Sequence, residues 1–261
     1  GNLTVAEYAA APRLTIEPGN TLRFLPGTQM KVGADYPYGG EIYAIGTSDS
    51  LITFTSFNGL SGGWNGIFFT EYSDNYGGLT QMIYCVIEKG NDYNLYSHMT
   101  VQPSLIQNCT IQNALLDGAR YFSSSGTISD CHYLNNGRYP LYWMNPACNP
   151  IHSGNTFTGN VINKIALEGG TYNVSRTLTL DGTQYYALNN IFVQEYTTNP
   201  RLTIEAGVVV DFAPGTKLQV GGGYPYSGEL HCLGTSTSNV VLRSYNGLAG
   251  GWEGVHFTSY N

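Results

Sequence analysis

The densest gathering of side chains able to move protons or hold a cation lies mid-chain, at Asp117, Arg120, Asp130, His132 and Arg138. Carboxylates beside guanidinium groups and an imidazole are the ingredients of acid–base chemistry on a polar substrate. The patterns that turn such ingredients into a known machine are missing. The five histidines form no HExxH or HxH pair. The five cysteines include no CxxC, and Cys85, Cys109 and Cys131 are spaced at 24 and 22 residues. That is a linear column, whereas zinc needs ligands that close a tetrahedron. These three are predicted to be stacked, buried thiols. No catalytic residue, metal ligand or cofactor is assigned from the sequence.

A different chemistry recurs. "YPYGGE" begins at Tyr36 and "YPYSGE" at Tyr224, each closing on a glutamate, Glu41 and Glu229. Tyr36, Pro37 and Tyr38, with Tyr224, Pro225 and Tyr226, are the candidate ligand-binding residues. A stiff proline between two tyrosines offers flat apolar area with hydrogen-bonding tips, a surface suited to a sugar ring or a protein contact. Trp64 in "GGWNG" and Trp252 in "GGWEG" follow glycine-rich turns and are expected to be structural.

These residues are positioned by a repeat. "PRLTIEPG" at Pro12 returns as "PRLTIEAG" at Pro200, an offset of 200 − 12 = 188, and residues 2–73 align without a gap on 190–261. Residues 74–189 form the middle of the first unit. There a finer period appears in "MIYCVIEKG", "IQNCTIQNA", "ISDCHYLNN" and "HSGNTFTGN", whose fourth residues Cys85, Cys109, Cys131 and Asn155 lie 24, 22 and 24 apart. Met82, Ile106, Ile128 and His152 form a second column, Ile87, Ile111, Tyr133 and Phe157 a third, and Leu95, Ala119, Leu141 and Ile165 a fourth. Columns at this spacing are what parallel strands stacked ~4.8 Å apart require. Alternating apolar residues in "LTI", "LRF", "MKV" and "ITF", with turns at "EPG" and "LPG", give strands and no helix. Asn113, Asn135 and Asn136 fall at turns, where Asn takes left-handed backbone or satisfies backbone groups. Of the glycosylation patterns at Asn2, Asn108 and Asn173, Asn108 is expected within a strand. Cys232 stands where the first copy has Ala44, so a small buried side chain is expected there. The chain is read as all-β, one continuous β-solenoid over residues 1–261 with coils of about 22–24 residues, and as a fragment of a longer repeat chain.

The "IxNCxI" coils, with "LTIEPG", "ITFTS" and "GGWNGIFF", resemble the right-handed parallel β-helix repeats of secreted bacterial and archaeal proteins in the pectate-lyase-like superfamily. The resemblance covers essentially the whole chain and implies that fold. A lyase of the superfamily would need clustered carboxylates for calcium and an Arg or Lys as base. Its hydrolases carry "NTD", "DD", "GHG" and "RIK" strings, none of which occurs here, so the resemblance implies a member without that chemistry.

Bulk composition narrows the partners. A net charge of −7, with eleven Lys and Arg that form no run, excludes a basic phosphate-binding face, so no nucleic-acid partner is expected. No apolar stretch approaches ~18 residues, so no membrane insertion is expected. Charged residues make up only 11%, well below the ~25% of an ordinary soluble domain, and 21 tyrosines join many Asn, Ser and Thr on the surface, which points to an extracellular or cell-surface location. The leading expectation is a structural or adhesive segment of such a protein, self-associating through open solenoid ends or further repeats of the same chain. A polysaccharide-binding module is the second reading and a polysaccharide lyase or hydrolase the third.

Overall fold

Short strands separated by single-residue bends and glycine turns build the molecule, each strand pairing with its counterpart one coil away. The structure is a computed structural model that describes residues 1–98, 104–182 and 184–259, so the last two residues of the second copy lie outside the described residues. The fold is an all-β, right-handed parallel β-helix, the hand expected of parallel crossovers. Internal contacts divide the chain into two units, Gly1–Tyr142 with Cys148–Asn163, and Trp143–Ala147 with Lys164–Asn261.

In the first unit three parallel sheets face a shared interior. One carries Leu3–Val5, Met30–Val32, Ile67–Phe69, Tyr93–His98 and Asp117–Phe122. A second runs from Arg13–Ile16 through Glu41–Ile45 to Ile151–Ser153, and a third from Thr21–Phe24 through Ile52–Ser56 to Thr156–Thr158. The predicted columns are the observed registers. Met82 pairs with Ile106, Ile106 with Ile128 and Ile128 with His152, while Ile87, Ile111, Tyr133 and Phe157 follow one another in the neighbouring sheet. Each such apolar side chain, removed from water, contributes roughly 1.5–3 kcal/mol.

Consecutive strands are joined by single residues in the left-handed region. Tyr84, Asn108, Asp130 and Gly154 make one corner, and Lys89, Asn113, Asn135 and Gly159 the next. Asn108 therefore occupies a bend, not a strand as expected, because the chain must change direction there to keep Ile106 and Ile111 both inward. Just past the first corner, the sulfurs of Cys85, Cys109 and Cys131 lie 3.4, 3.3 and 3.5 Å from the carbonyls of Ala44, Met82 and Ile106 in the preceding coil. Asn155 continues the column with its amide, 3.1 Å from the carbonyl of Ile128. The column thus selects a small inward donor, thiol or amide.

In the second unit the repeat rebuilds the same contacts. Leu3 pairs with Met30 and Arg13 with Glu41; at the 188-residue offset, Ile191 pairs with Leu218 and Arg201 with Glu229. Phe24 stacks on Trp64 with ring centres 4.4 Å apart, and Phe212 on Trp252 at 4.3 Å. Trp64 is fully buried, and Trp252 repeats its stacking contact. Cys232 departs from expectation: it is exposed, while Ala44 is fully buried. Glu41–Ile45 is paired on both sides, whereas Glu229–Cys232 is the last strand of its sheet and pairs on one side only.

Candidate functional site

Each Tyr-Pro-Tyr motif forms a tight loop fixed to the strand that opens its repeat. In the first, Gly33 N–H donates to Val5 O, Ala34 N–H to Tyr38 O and Tyr38 N–H to Asp35 O, each at 2.9 Å. In the second, Gly221 N–H donates to Val193 O, Gly222 N–H to Tyr226 O and Tyr226 N–H to Gly223 O, again at 2.9 Å. Both Tyr–Pro bonds are cis. The second glycine of "YGGE" and "YSGE" has a steric cause: a Cβ on Gly40 would lie 2.0 Å from Val5 O, and one on Gly228 1.9 Å from Val193 O. The preceding position differs between the copies: a Cβ on Gly39 would lie 2.5 Å from Ala10 O, whereas Ser227 bonds Thr198 O.

The loops collect tyrosines that the sequence does not place together. Tyr38 meets Tyr8 edge to face, with centres 5.8 Å apart, in a short antiparallel pairing of Glu7–Tyr8 with Tyr38–Gly39. Tyr226 meets Tyr196 in the same way at 6.0 Å. In the first cluster Tyr36 also leans on Tyr72 at 5.7 Å. Such pairs hold ring geometry with about 0.5–1.5 kcal/mol beyond area burial. The rings remain open to solvent, Tyr36 being 73% and Tyr224 78% exposed. Beneath them, Arg13 Nε bonds Glu41 at 2.6 Å and Arg201 Nε bonds Glu229 at 2.6 Å, so the motif glutamates anchor the loops instead of facing a ligand. The surroundings are acidic: a hydrogen bond with Glu71 comes first among the influences that raise the Tyr72 phenol, and Asp35 adds to them.

The mid-chain constellation divides. Asp117 is fully buried and both its oxygens are taken. Oδ2 accepts from Arg120 Nε at 2.6 Å and Arg138 Nη2 at 2.6 Å, and Oδ1 from Arg138 Nε at 2.8 Å. The arginines extend over tyrosine faces, Arg120 over Tyr93 and Arg138 over Tyr139. Asp130 and His132 stand apart on the surface, Asp130 beside Gln107 and His132 beside Thr156. Among the described residues no cluster of three or more His, Cys, Asp or Glu is arranged to hold a metal ion.

One outward feature was not anticipated. Phe68 stacks on Tyr96 at 5.2 Å and His98 on Phe122 at 5.0 Å, making an aromatic ladder on the first unit. At its foot a recess of about 320 Å³ is lined by Gln29, Asn65, Asn91, Asp92 and Tyr93. Its trace in the sequence is slight: Tyr96 and Arg120 each follow a column residue, Leu95 and Ala119, and so must point outward. The loop hydrogen bonds and the edge-to-face tyrosine pair, by contrast, are present in both copies.

No known protein-family profile matches the chain. A stretch of 83 residues is 36% identical to Protein bark beetle of Drosophila melanogaster, covering 32% of this chain and 2% of that protein. The crystal structure of the Agl-KA catalytic domain aligns with a TM-score of 0.41 and 16% identity, over 95% of this chain and 63% of that one.

Proposed function

We propose that the chain is an adhesive, non-catalytic β-helix segment of an extracellular or cell-surface repeat protein, and that each tyrosine cluster grips neutral polysaccharide. The observation that carries this reading is the duplication: two exposed clusters, 188 residues apart in sequence, keep the same loop hydrogen bonds and the same edge-to-face tyrosine pair. Solvent-facing rings that serve only to cover a coil have no physical reason to be held at a fixed angle. Rings held open, with phenol tips at their rim, stack on the apolar face of a sugar and bond its hydroxyls. The net charge of −7 and the carboxylates beside Tyr72 favour a neutral glycan over a uronate. Asp117, with every oxygen committed to arginine, supports a role without bond cleavage.

The test is a panel of neutral and uronic oligosaccharides offered to the wild type and to the double variants Tyr36→Ala/Tyr38→Ala and Tyr224→Ala/Tyr226→Ala. Neutral glycans should bind and each variant should weaken binding, with melting temperature held. Binding of uronates alone would reject the ligand class. Release of reducing or unsaturated ends, lost on Asp130→Ala or Arg120→Ala, would replace this reading with a hydrolase or lyase.

A further inference from the structure

Asp74 lies in the turn between Tyr72 and Tyr76 that meets the end of the first Tyr-Pro-Tyr loop. Its side chain is fully buried. Oδ1 accepts from Thr80 N–H at 2.7 Å and Thr80 Oγ1 at 2.6 Å, while Oδ2 has no hydrogen-bond partner among the described residues. Its backbone is left-handed, with φ 62°, and its N–H donates to Gly40 O at 3.0 Å, at the end of the Tyr-Pro-Tyr loop. The turn it belongs to supplies the rest of the cluster. Tyr72 leans on Tyr36, and a Cβ on Gly39 would meet the ring of Tyr76 at 3.0 Å.

The charged groups around Asp74 are few. From the adjoining strand comes Glu41, itself buried and committed to Arg13 and to Leu79 N–H. Glu71 and Asp35 act on Tyr72 at the rim. Among the described residues no hydrogen-bond donor reaches Oδ2. An ionised Asp74 therefore holds an unsolvated oxygen with Glu41 as a like-charged neighbour, and both effects disfavour charge. Thr80 opposes them with its two hydrogen bonds. Burial prevails, raising the carboxyl to about 6.

We propose that Asp74 is a proton-dependent latch on the first tyrosine cluster: neutral, it holds the Tyr72–Tyr76 turn against the Tyr36–Gly40 loop, and ionised, it draws water into the turn and frees Tyr72 and Tyr76. As a control on glycan contact this rests on the reading of the cluster given above, though the latch itself needs no ligand. The Tyr224–Tyr226 loop belongs to the second unit and serves as an internal reference.

The experiment follows the carboxyl resonance of Asp74 by carbon NMR, and hydrogen exchange of residues 72–80, from about pH 4 to about pH 8 after correction for intrinsic rates. The carboxyl should titrate near 6. Exchange across 72–80 should be about tenfold faster above that midpoint than below it, should be flat with pH in Asp74→Asn, and should be flat around Tyr224–Tyr226 in both proteins. A carboxyl titrating at the ordinary aspartate value overturns the latch, even if Asp74→Asn does not fold. So does the same exchange profile in variant and wild type. Neither readout contains a glycan, so failure here leaves the binding proposal standing, and failure of glycan binding leaves the latch standing.

Discussion

The carbonyl oxygen of Val5 lies 2.0 Å from where Gly40 would carry a Cβ, and Val193 stands to Gly228 at 1.9 Å in the same relation. A backbone oxygen cannot step aside as a flexible side chain would, so the strand that opens each repeat and the loop that ends in glycine fit only one way. Gly40→Ala should displace the first loop, lose the Tyr8–Tyr38 contact and cost about 1–3 kcal/mol, as overpacking does. Gly39→Ser, which copies the second repeat, would set a Cβ 2.5 Å from Ala10 O and should also displace the loop. Thermal melts, with NMR contacts between the two rings, would check both.

Asp117 is a structural carboxylate held by two arginines. Asp117→Ala leaves Arg120 and Arg138 without their partner and should destabilise the protein by about 3–5 kcal/mol. Asp130→Ala, on the exposed surface, should stay within ~0.5 kcal/mol. Denaturant unfolding of the two variants distinguishes them, and equal effects would mean that the buried pairing is misplaced.

Stability should depend on pH through two carboxylates of opposite sense. Asp74 is raised by burial from 3.8 to about 6, so the folded state binds more protons than the unfolded between those values. Stability from this group is complete below the unfolded value and falls by about 3 kcal/mol as pH rises through that window. Burial pushes Glu88 up as well, but its bonds with Lys89, Thr55 and Gln112 prevail and hold it below the ordinary value. Its contribution is present above the ordinary glutamate range and is lost as pH falls through the lowered value. Melting temperatures across this range should show both limbs, and Asp74→Asn should flatten only the upper one.

Thiol labelling should separate the cysteines. Cys85, Cys109, Cys131 and Cys148 are buried and Cys232 is exposed. Burial raises the thiols of both Cys109 and Cys232, and Cys131 is raised first by its bond with Cys109, so exposure sets Cys232 apart. Thiolate is the reactive form. In the native protein a thiol reagent should modify Cys232 alone, which mass spectrometry of the labelled peptides would show, and modification of the column before unfolding would contradict its packing.

The coils were readable because their interior columns repeat one chemistry: Cys85, Cys109, Cys131 and Asn155 all supply a small inward donor. Where a column tolerates different residues the pattern disappears. The corner at Tyr84, Asn108, Asp130 and Gly154 shares only a left-handed backbone, so Asn108 read as strand. Cys232 misled for another reason, since its burial depends on strand pairing, not on its alignment with Ala44. The Tyr-Pro-Tyr loops announced themselves by duplication. Their partners Tyr8 and Tyr196, the ladder from Phe68 to Phe122, and the placement of Asp74 beside Glu41 come from coil-to-coil contacts between residues far apart in sequence, for which no local pattern exists.

The central claim is that one chain carries two glycan sites built on the same tyrosine pair, and isothermal titration with a neutral oligosaccharide that binds tests it most directly. Two sites per chain should be found, falling to one in Tyr36→Ala/Tyr38→Ala and to one in Tyr224→Ala/Tyr226→Ala, with affinity at the remaining site unchanged. A single site that survives both variants, or no binding across the panel, would contradict the account.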